Sequence, residues 1–150
     1  MLTTLIAAGP LPAAETPNAL RQTRDGVVFN YGVAPAEIVL AHPDQHPERM
    51  MHRGTAPKGS SHLVVALSDA VNEQRIAEAE VTARVTLLGG TSVTKRLEPM
   101  EIASQPSFGG FFQLGVPGIY RIRFEVRRPG IADVAAAEFE HRVFPEDRRR

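Results

Sequence analysis

Residues 120–127 read YRIRFEVR. Apolar side chains at the even positions alternate with charged side chains at the odd positions, which is the pattern of a β-strand with one face in a core and one in water. Pro129 and Gly130 then favour a turn into residues 134–143, which again carry apolar side chains at alternate positions. The whole segment predicts an antiparallel hairpin.

The same period of two recurs upstream. It runs through residues 27–33, through residues 62–68, where both faces are apolar, and through residues 81–87. Gly89 and Gly90 favour a tight turn from the last of these into residues 91–97, so a second hairpin is predicted there.

Two segments depart from simple alternation. Residues 69–80 have a helix-friendly composition, but Val71-Asn72-Glu73 also suits a connection between strands, and we favour a loop that Ile76 anchors to the core. Gly109 and Gly110, flanked by phenylalanines, predict a kink or bulge in a strand.

Six to eight short strands, with turn signals about every 8–12 residues, predict an all-β protein: a single-domain, antiparallel, immunoglobulin-like β-sandwich. The tryptophan and paired cysteines of true immunoglobulin domains are absent, so this prediction depends on the strand pattern alone. We expect three parts: a signal-like or flexible N-terminal segment at 1–26, the sandwich at 27–144 and a charged, solvated tail at 145–150.

The N-terminal segment resembles the later part of a secretory signal. An apolar run at residues 2–14 ends in small residues, but no basic residue precedes Arg21, so the usual positively charged start is missing unless it lies upstream. We expect a periplasmic or secreted protein. No stretch approaches the ~20 apolar residues that a membrane-spanning helix needs.

Charge and cysteine content exclude several classes of function. Seventeen basic residues balance seventeen acidic ones, so no overall field attracts nucleic acid. The chain has no cysteine, which removes disulfides, thiolate metal sites and thiol nucleophiles.

The strongest chemical signal is the stretch 41–62, which reads AHPDQHPERMMHRGTAPKGSSH and holds four of the five histidines and two of the four methionines. Thioether sulfur selects Cu(I), and imidazole suits copper and zinc. We therefore predict a metal site with copper first, and zinc or iron behind it. The candidate ligands are His42, His46, Met50, Met51, His52, His62 and Met100.

Each candidate ligand has a plainer interpretation. Steps of four residues would align the loop ligands on one helical face, but Pro43 and Pro47 favour an extended loop, and the loop histidines could simply be solvated. Met100 also suits an apolar core. His141, which shares a strand face with other apolar residues, suits a hydrogen-bonded histidine at the core edge better than a ligand.

Five segments carry a resemblance to known proteins: HLVVALSDA (62–70), RIAEAEVTARV (75–85), KRLEPM (95–100), FGGFFQL (108–114) and GIYRIRFEVRRPG (118–130). Over residues 27–143 the chain resembles small bacterial periplasmic proteins of mostly unassigned role. More distantly it resembles YtkA-like domains and Tpd-like accessory proteins of iron uptake, whose family site binds copper through histidines and a methionine. The resemblance implies a secreted sandwich that handles transition metal.

The family pattern transfers only in part. His62 stands at the first histidine of an H-x5-H strand motif, but the second position is Ser68, so one implied ligand is missing and the preceding loop is the most plausible replacement.

No sequence signature of an enzyme is present: the chain has no HExxH, no GxSxG and no phosphate-binding loop. We expect an exported metal-binding protein, not an enzyme, that acts in metal handling, delivery or uptake. A membrane transporter or a metalloenzyme could receive the metal, while storage, resistance and a homodimer are left open. The alternative is an immunoglobulin-like protein-binding module without metal, supported by the aromatic residues Phe108, Phe111, Phe112 and Tyr120, although these rings also suit the core.

Overall fold

The computed structural model describes residues 20–36 and 56–145. Its strands are β1 (Arg21–Arg24), β2 (Val27–Pro35), β3 (Ser61–Asp69), β4 (Glu80–Leu87), β5 (Ser92–Arg96), β6 (Glu98–Ile102), β7 (Gln105–Phe112), β8 (Gly118–Arg127) and β9 (Ala135–Val143). Sheet A has the order β1-β2-β3-β7-β6, and sheet B has the order β5-β4-β8-β9. Every pairing is antiparallel.

The predicted antiparallel β-sandwich is therefore confirmed, and both predicted hairpins are present as β4–β5 and β8–β9. The immunoglobulin-like arrangement of the strands stays a prediction. Within the two described ranges, no helix is long and apolar enough to cross a membrane.

The core lies between the two sheets and is made by alternate residues of each strand. Phe124 of β8 is fully buried, and it packs among aromatic neighbours from both sheets, with ring centroids 6.3 Å from Tyr31 and 5.9 Å from Phe139. Burying one large apolar side chain contributes roughly 1.5–3 kcal/mol. The alternation that predicts the strands is thus the alternation that fills the core.

Residues 69–80 form a connection, as predicted, and not a helix. The Asp69 carboxylate accepts hydrogen bonds from the backbone N–H groups of Val71 (2.9 Å) and Asn72 (3.2 Å), and Ile76 donates its N–H to the Leu67 carbonyl oxygen at 3.0 Å. Side chains that bond to nearby backbone in this way stabilise a turn in preference to a helix.

Sheet A begins before residue 27. The four residues of β1 pair with β2, and the turn between them places Asp25 (φ 51°) and Gly26 (φ 75°) in the left-handed region, the Asp-Gly preference of a two-residue hairpin turn. The predicted signal-like residues before 20 and the tail after 145 lie outside the described residues and stay predictions.

Side chains from sheet A bond to the free backbone edge of β9. An exposed strand edge is a template for unwanted pairing, so occupied edge groups protect the sheet. Three hydrogen bonds do this: from the Ala136 N–H to Asp25 Oδ2 (3.1 Å), from Gln22 Nε2 to the Glu138 carbonyl (2.6 Å) and from the Tyr31 hydroxyl to the Glu140 carbonyl (3.4 Å). The two sheets are thereby joined along one side of the sandwich.

Of the kink or bulge predicted at Gly109 and Gly110, the bulge is wrong and the kink stays a prediction. Strand β7 pairs with β3 in an unbroken register from Phe108 to Phe112, with one residue opposite one residue throughout. The two glycines serve a different purpose, because each lacks a Cβ where other side chains come close: Met100, His62 and Val64 at Gly109, and Leu97 at Gly110.

Candidate metal centre

The outer face of sheet A, which points away from the core, carries a buried group that we call the outer patch. It consists of His62 on β3, Met100 on β6, and Ser107, Gly109 and Phe111 on β7. His62 and Met100 are each only 3% exposed, and Ser107 is 4% exposed. Burial on the face that does not contact the core sets these residues apart from an ordinary solvated sheet surface.

Two potential ligand atoms converge at Gly109. A Cβ placed on Gly109 would lie 2.6 Å from Sδ of Met100 and 2.8 Å from Nε2 of His62. Both distances are below any normal contact of a Cβ atom, so only glycine leaves room for the thioether and the imidazole at this point. The strand arrangement β3-β7-β6 creates this convergence, because β7 lies between the strands that carry the two side chains.

An aromatic ring holds the imidazole from the side. The ring centroids of His62 and Phe111 are 5.0 Å apart, with 39° between the ring planes. Phe111 is in turn fixed through its backbone, since its carbonyl oxygen accepts a hydrogen bond of 2.6 Å from Nζ of Lys95 on β5. The Lys95 ammonium also lies 5.0 Å from the centroid of the Phe112 ring.

Met100 lies outside the core, although its sequence position also suits a core residue. It lies at the centre of β6, opposite Ser107, on the face that also carries Gly109. It is buried, yet it is not a member of the cluster that fills the space between the sheets. Met100 is therefore a buried member of the outer patch.

Five of the predicted ligands, His42, His46, Met50, Met51 and His52, lie outside the described residues. The connection that contains them leaves β2 and enters β3 beside His62. Ala34 is opposite His62 in the register, and Ala36 donates its N–H to the Ser60 carbonyl at 3.0 Å. Both ends of the connection are therefore anchored next to the outer patch.

Ser60, at this anchor, has a buried hydroxyl oxygen with no hydrogen-bond partner, the only such side-chain atom among those described. Also within the described part of the chain, no three His, Asp or Glu side chains are grouped closely enough to hold a metal ion. A site at the outer patch thus needs the thioether and further ligands in addition to His62.

His141 and Ser68, the residue at the second position of the H-x5-H motif, both lie away from the outer patch. His141 lies on β9 opposite Tyr120 in sheet B, half-buried on the core side, and burial lowers its pKa below the ordinary 6.5. Ser68, which replaces the second motif histidine, pairs with Val28 near the other end of β3.

The aromatic residues that supported a protein-binding surface are mostly in the core. Phe108, Phe112 and Tyr120 are 1–3% exposed members of the core cluster, and the Tyr120 hydroxyl donates to the Val116 carbonyl at 2.8 Å. Only Phe111 lies on the outer face, where it contacts His62. They therefore do not form an exposed aromatic patch.

The sequence does not point to three members of the outer patch: Ser107, Gly109 and Phe111. The signal that could have found Gly109 is that a glycine inside a strand also indicates close approach by another group. Which group approaches could not be known, because the pairing of β7 with both β3 and β6 is not written in the local sequence.

The described residues fit a soft transition-metal ion better than a hard one. Imidazole nitrogen suits copper and zinc, and thioether sulfur selects copper in its reduced state, whereas magnesium and calcium require oxygen ligands. The space at Gly109, next to both donor atoms, is where an ion held by the pair would be accommodated.

No protein-family model matches the chain, and no curated protein sequence matches it. Solved structures do match. A DUF4426 family protein from Pseudomonas aeruginosa aligns with a TM-score of 0.61 at 13% identity, over 85% of this chain and 98% of that protein. The resemblance to small β-sandwich proteins is thereby confirmed at the level of the fold.

Two further structures are similar. FetP of uropathogenic Escherichia coli, expressed in the periplasm, has a TM-score of 0.63 at 13% identity, over 83% of this chain and 92% of its own. Copper-reconstituted P19 of Campylobacter jejuni has a TM-score of 0.60 at 11% identity, over 84% and 95%. At such identities the likeness establishes a shared fold.

Proposed function

We propose that this protein binds a transition-metal ion, copper in the first place, at a site that includes His62 and Met100. The observation that carries the proposal is the convergence of Nε2 of His62 and Sδ of Met100 on the space left by the missing Cβ of Gly109. A buried imidazole and a buried thioether that meet at a glycine on the outside of a sandwich have no role in the core.

The other ligands are proposed to come from residues 42–52, through His42, His46, Met50, Met51 and His52. The support is that both described ends of the β2–β3 connection are anchored beside His62. A set of imidazoles and thioethers favours copper over zinc or iron.

We propose a role in metal handling outside the cytoplasm, with transfer to a membrane transporter or a metalloenzyme, and no catalytic activity of the protein itself. The structural neighbours support this: copper-bound forms of P19 and FetP share the sandwich, and FetP was expressed in the periplasm. The signal-like residues at the N-terminus point to the same compartment.

The deciding experiment titrates the purified protein, without a polyhistidine tag, with Cu(I) against a competing chelator and with Cu(II) and Zn(II) in parallel. The central variant is Gly109→Ala, which keeps both ligands but places a methyl group between them. Its matched control is Gly32→Ala on the same face of sheet A, where the added Cβ meets Val64 Cγ2 at an ordinary 3.5 Å.

We expect tight one-to-one copper binding by the natural protein and by Gly32→Ala, and a loss of at least tenfold in affinity for Gly109→Ala. A Met50→Leu/Met51→Leu variant, with the fold checked by circular dichroism, reports on the loop ligands. Weak, non-stoichiometric binding by the natural protein would overturn the proposal and favour a protein-binding module without metal.

A further inference from the structure

Two arginines lie directly opposite each other on the outer face of sheet B, the sheet that does not carry the outer patch. Arg84 of β4 and Arg123 of β8 are partners in the strand register, so their side chains leave the same face of the sheet side by side. Directly opposed residues of an antiparallel pair have Cβ atoms about 4.5–5.5 Å apart, and like charges at these positions destabilise the sheet.

The two guanidinium groups are not equally compensated. Arg123 donates from Nε to Glu125 Oε1 at 3.1 Å, which pairs its charge with a carboxylate two residues along the same strand. Arg84 donates from Nε to the hydroxyl of Thr94 at 3.3 Å, and no carboxylate in the described part of the chain forms an ion pair with it. One positive charge is therefore left over.

A small depression lies between these side chains. Its enclosed volume is about 20 Å³, and it is lined by Thr82, Arg84, Thr94, Arg123 and Glu125. This space takes about one water-sized group, so an anion would seat one oxygen in it and keep its other oxygens in water. Two hydroxyl groups and the terminal N–H groups of two arginines supply donors for a negatively charged oxygen. The Glu125 carboxylate also lines the depression, and Nε of Arg123 compensates its charge.

We propose that this depression, between Arg84 and Arg123, binds a small oxyanion of the phosphate or carboxylate class. The two guanidinium groups would share the anion, which would compensate the unpaired positive charge of Arg84. The anion would thereby bridge two side chains that otherwise repel each other across the strands. Forked guanidinium groups match the oxygen geometry of such anions, and the hydrogen bond to Thr94 holds Arg84 by Nε, so that its terminal N–H groups remain available.

The site is independent of the metal proposal. It lies on the other sheet, and it involves none of the residues of the outer patch. Copper titration and anion titration therefore test separate properties of the protein.

The test measures thermal unfolding of the full chain in inorganic phosphate and in sodium chloride at equal ionic strength. Three proteins are compared: the natural chain, Arg84→Gln and Arg142→Gln. Arg142 is the matched control, because it also faces outward and pairs with a glutamate two residues away, Glu140, but is opposite Ile119 and not another arginine.

At ten times the dissociation constant, phosphate should raise the unfolding midpoint of the natural protein and of Arg142→Gln by about 4 °C relative to chloride. Arg84→Gln should lose this difference, while its midpoint in low salt stays equal to or above that of the natural protein, because the like-charge pair is gone. Equal phosphate effects in all three proteins, or none in the natural protein, would overturn the proposal.

A second measurement follows the Nε–H signals of arginine side chains by NMR during titration with phosphate and, separately, with an aspartate-rich tetrapeptide. Shifts of Arg84 and Arg123 before those of Arg142 are expected. The titrant that acts at the lower concentration assigns the source of the oxyanion, a free anion or a carboxylate of a partner. Simultaneous, equal shifts of all exposed arginines would contradict a site.

Discussion

The ammonium group of Lys95 on β5 donates a 2.6 Å hydrogen bond to the carbonyl oxygen of Phe111 on β7. This bond joins β5, an edge strand of sheet B, to β7 of sheet A, which carries three of the five residues of the outer patch. It also places a charged side chain on the inward-facing side of an edge strand, since Lys95 is opposite the core residue Ala83. Inward charges of this kind are a recognised protection against edge-to-edge pairing.

The Lys95 bond predicts a link between the edge of sheet B and the metal site. Lys95→Met keeps the aliphatic stem but removes the donor, and we expect a loss of about 0.5–1.5 kcal/mol in the free energy of unfolding. Because the Phe111 ring supports the imidazole of His62, copper affinity should fall several-fold. Denaturant titration and copper titration measure the two effects.

Lys58→Met is the control for this variant, because Lys58 is the only other lysine and is exposed in the turn before β3. If the two variants have the same copper affinity, the supporting role of Lys95 is contradicted, whatever happens to stability.

The hairpin between β1 and β2 predicts two separable roles for Asp25. Its backbone occupies the left-handed region, and its carboxylate accepts the Ala136 N–H at the edge of β9. Asp25→Asn keeps an acceptor oxygen and tolerates this backbone, so it should change stability by less than about 0.5 kcal/mol. Asp25→Ala loses both and should cost about 1–2 kcal/mol.

Urea denaturation of the two Asp25 variants measures this difference, and hydrogen exchange at Ala136 shows whether the edge of β9 has opened. Equal stability of the two variants would show that neither the bond nor the turn geometry matters.

The Asp69 turn predicts a loss of stability in acid. Hydrogen bonds from the backbone N–H groups of Val71 and Asn72, aided by the charge of Arg128, lower the pKa of the Asp69 carboxyl below its ordinary 3.8. A carboxyl with a lowered pKa stabilises the folded state above its unfolded pKa, and this stabilisation is lost as pH falls through the folded pKa. The urea midpoint should therefore fall below pH 4 more steeply for the natural protein than for Asp69→Asn. Parallel curves would exclude this contribution.

His141 predicts a second pH effect, at a higher pH. Burial lowers its pKa in the folded state, so the unfolded chain takes up a proton more readily as pH drops below about 6.5. The stability that depends on neutral His141 is complete above that pH and is lost as pH falls through the lowered folded pKa. His141→Gln should flatten the stability curve between pH 7 and pH 5, measured by thermal unfolding; an unchanged slope would contradict the prediction.

Local patterns in the sequence are enough to place most of the strands, the β4–β5 and β8–β9 hairpins and the loop at 69–80, but not β1 or the β6–β7 hairpin. These features depend on interactions between near neighbours: alternation places one face of each strand in the core, glycines and Pro129-Gly130 permit the turns, and Asp69 bonds to the backbone two and three residues along. His62 and Met100 are candidate ligands already in the sequence, through their imidazole and thioether groups and through their places in the motifs that resemble the family pattern.

Which residues meet depends on how the strands pair in the folded protein. His62, Met100 and Gly109 lie on three different strands, and nothing local fixes that β7 inserts between β3 and β6. The same long-range pairing places Arg84 opposite Arg123 and brings Lys95 to the carbonyl of Phe111. Alternation specifies the face on which a side chain lies, but the neighbours on that face follow from strand order and register, which the whole core sets together.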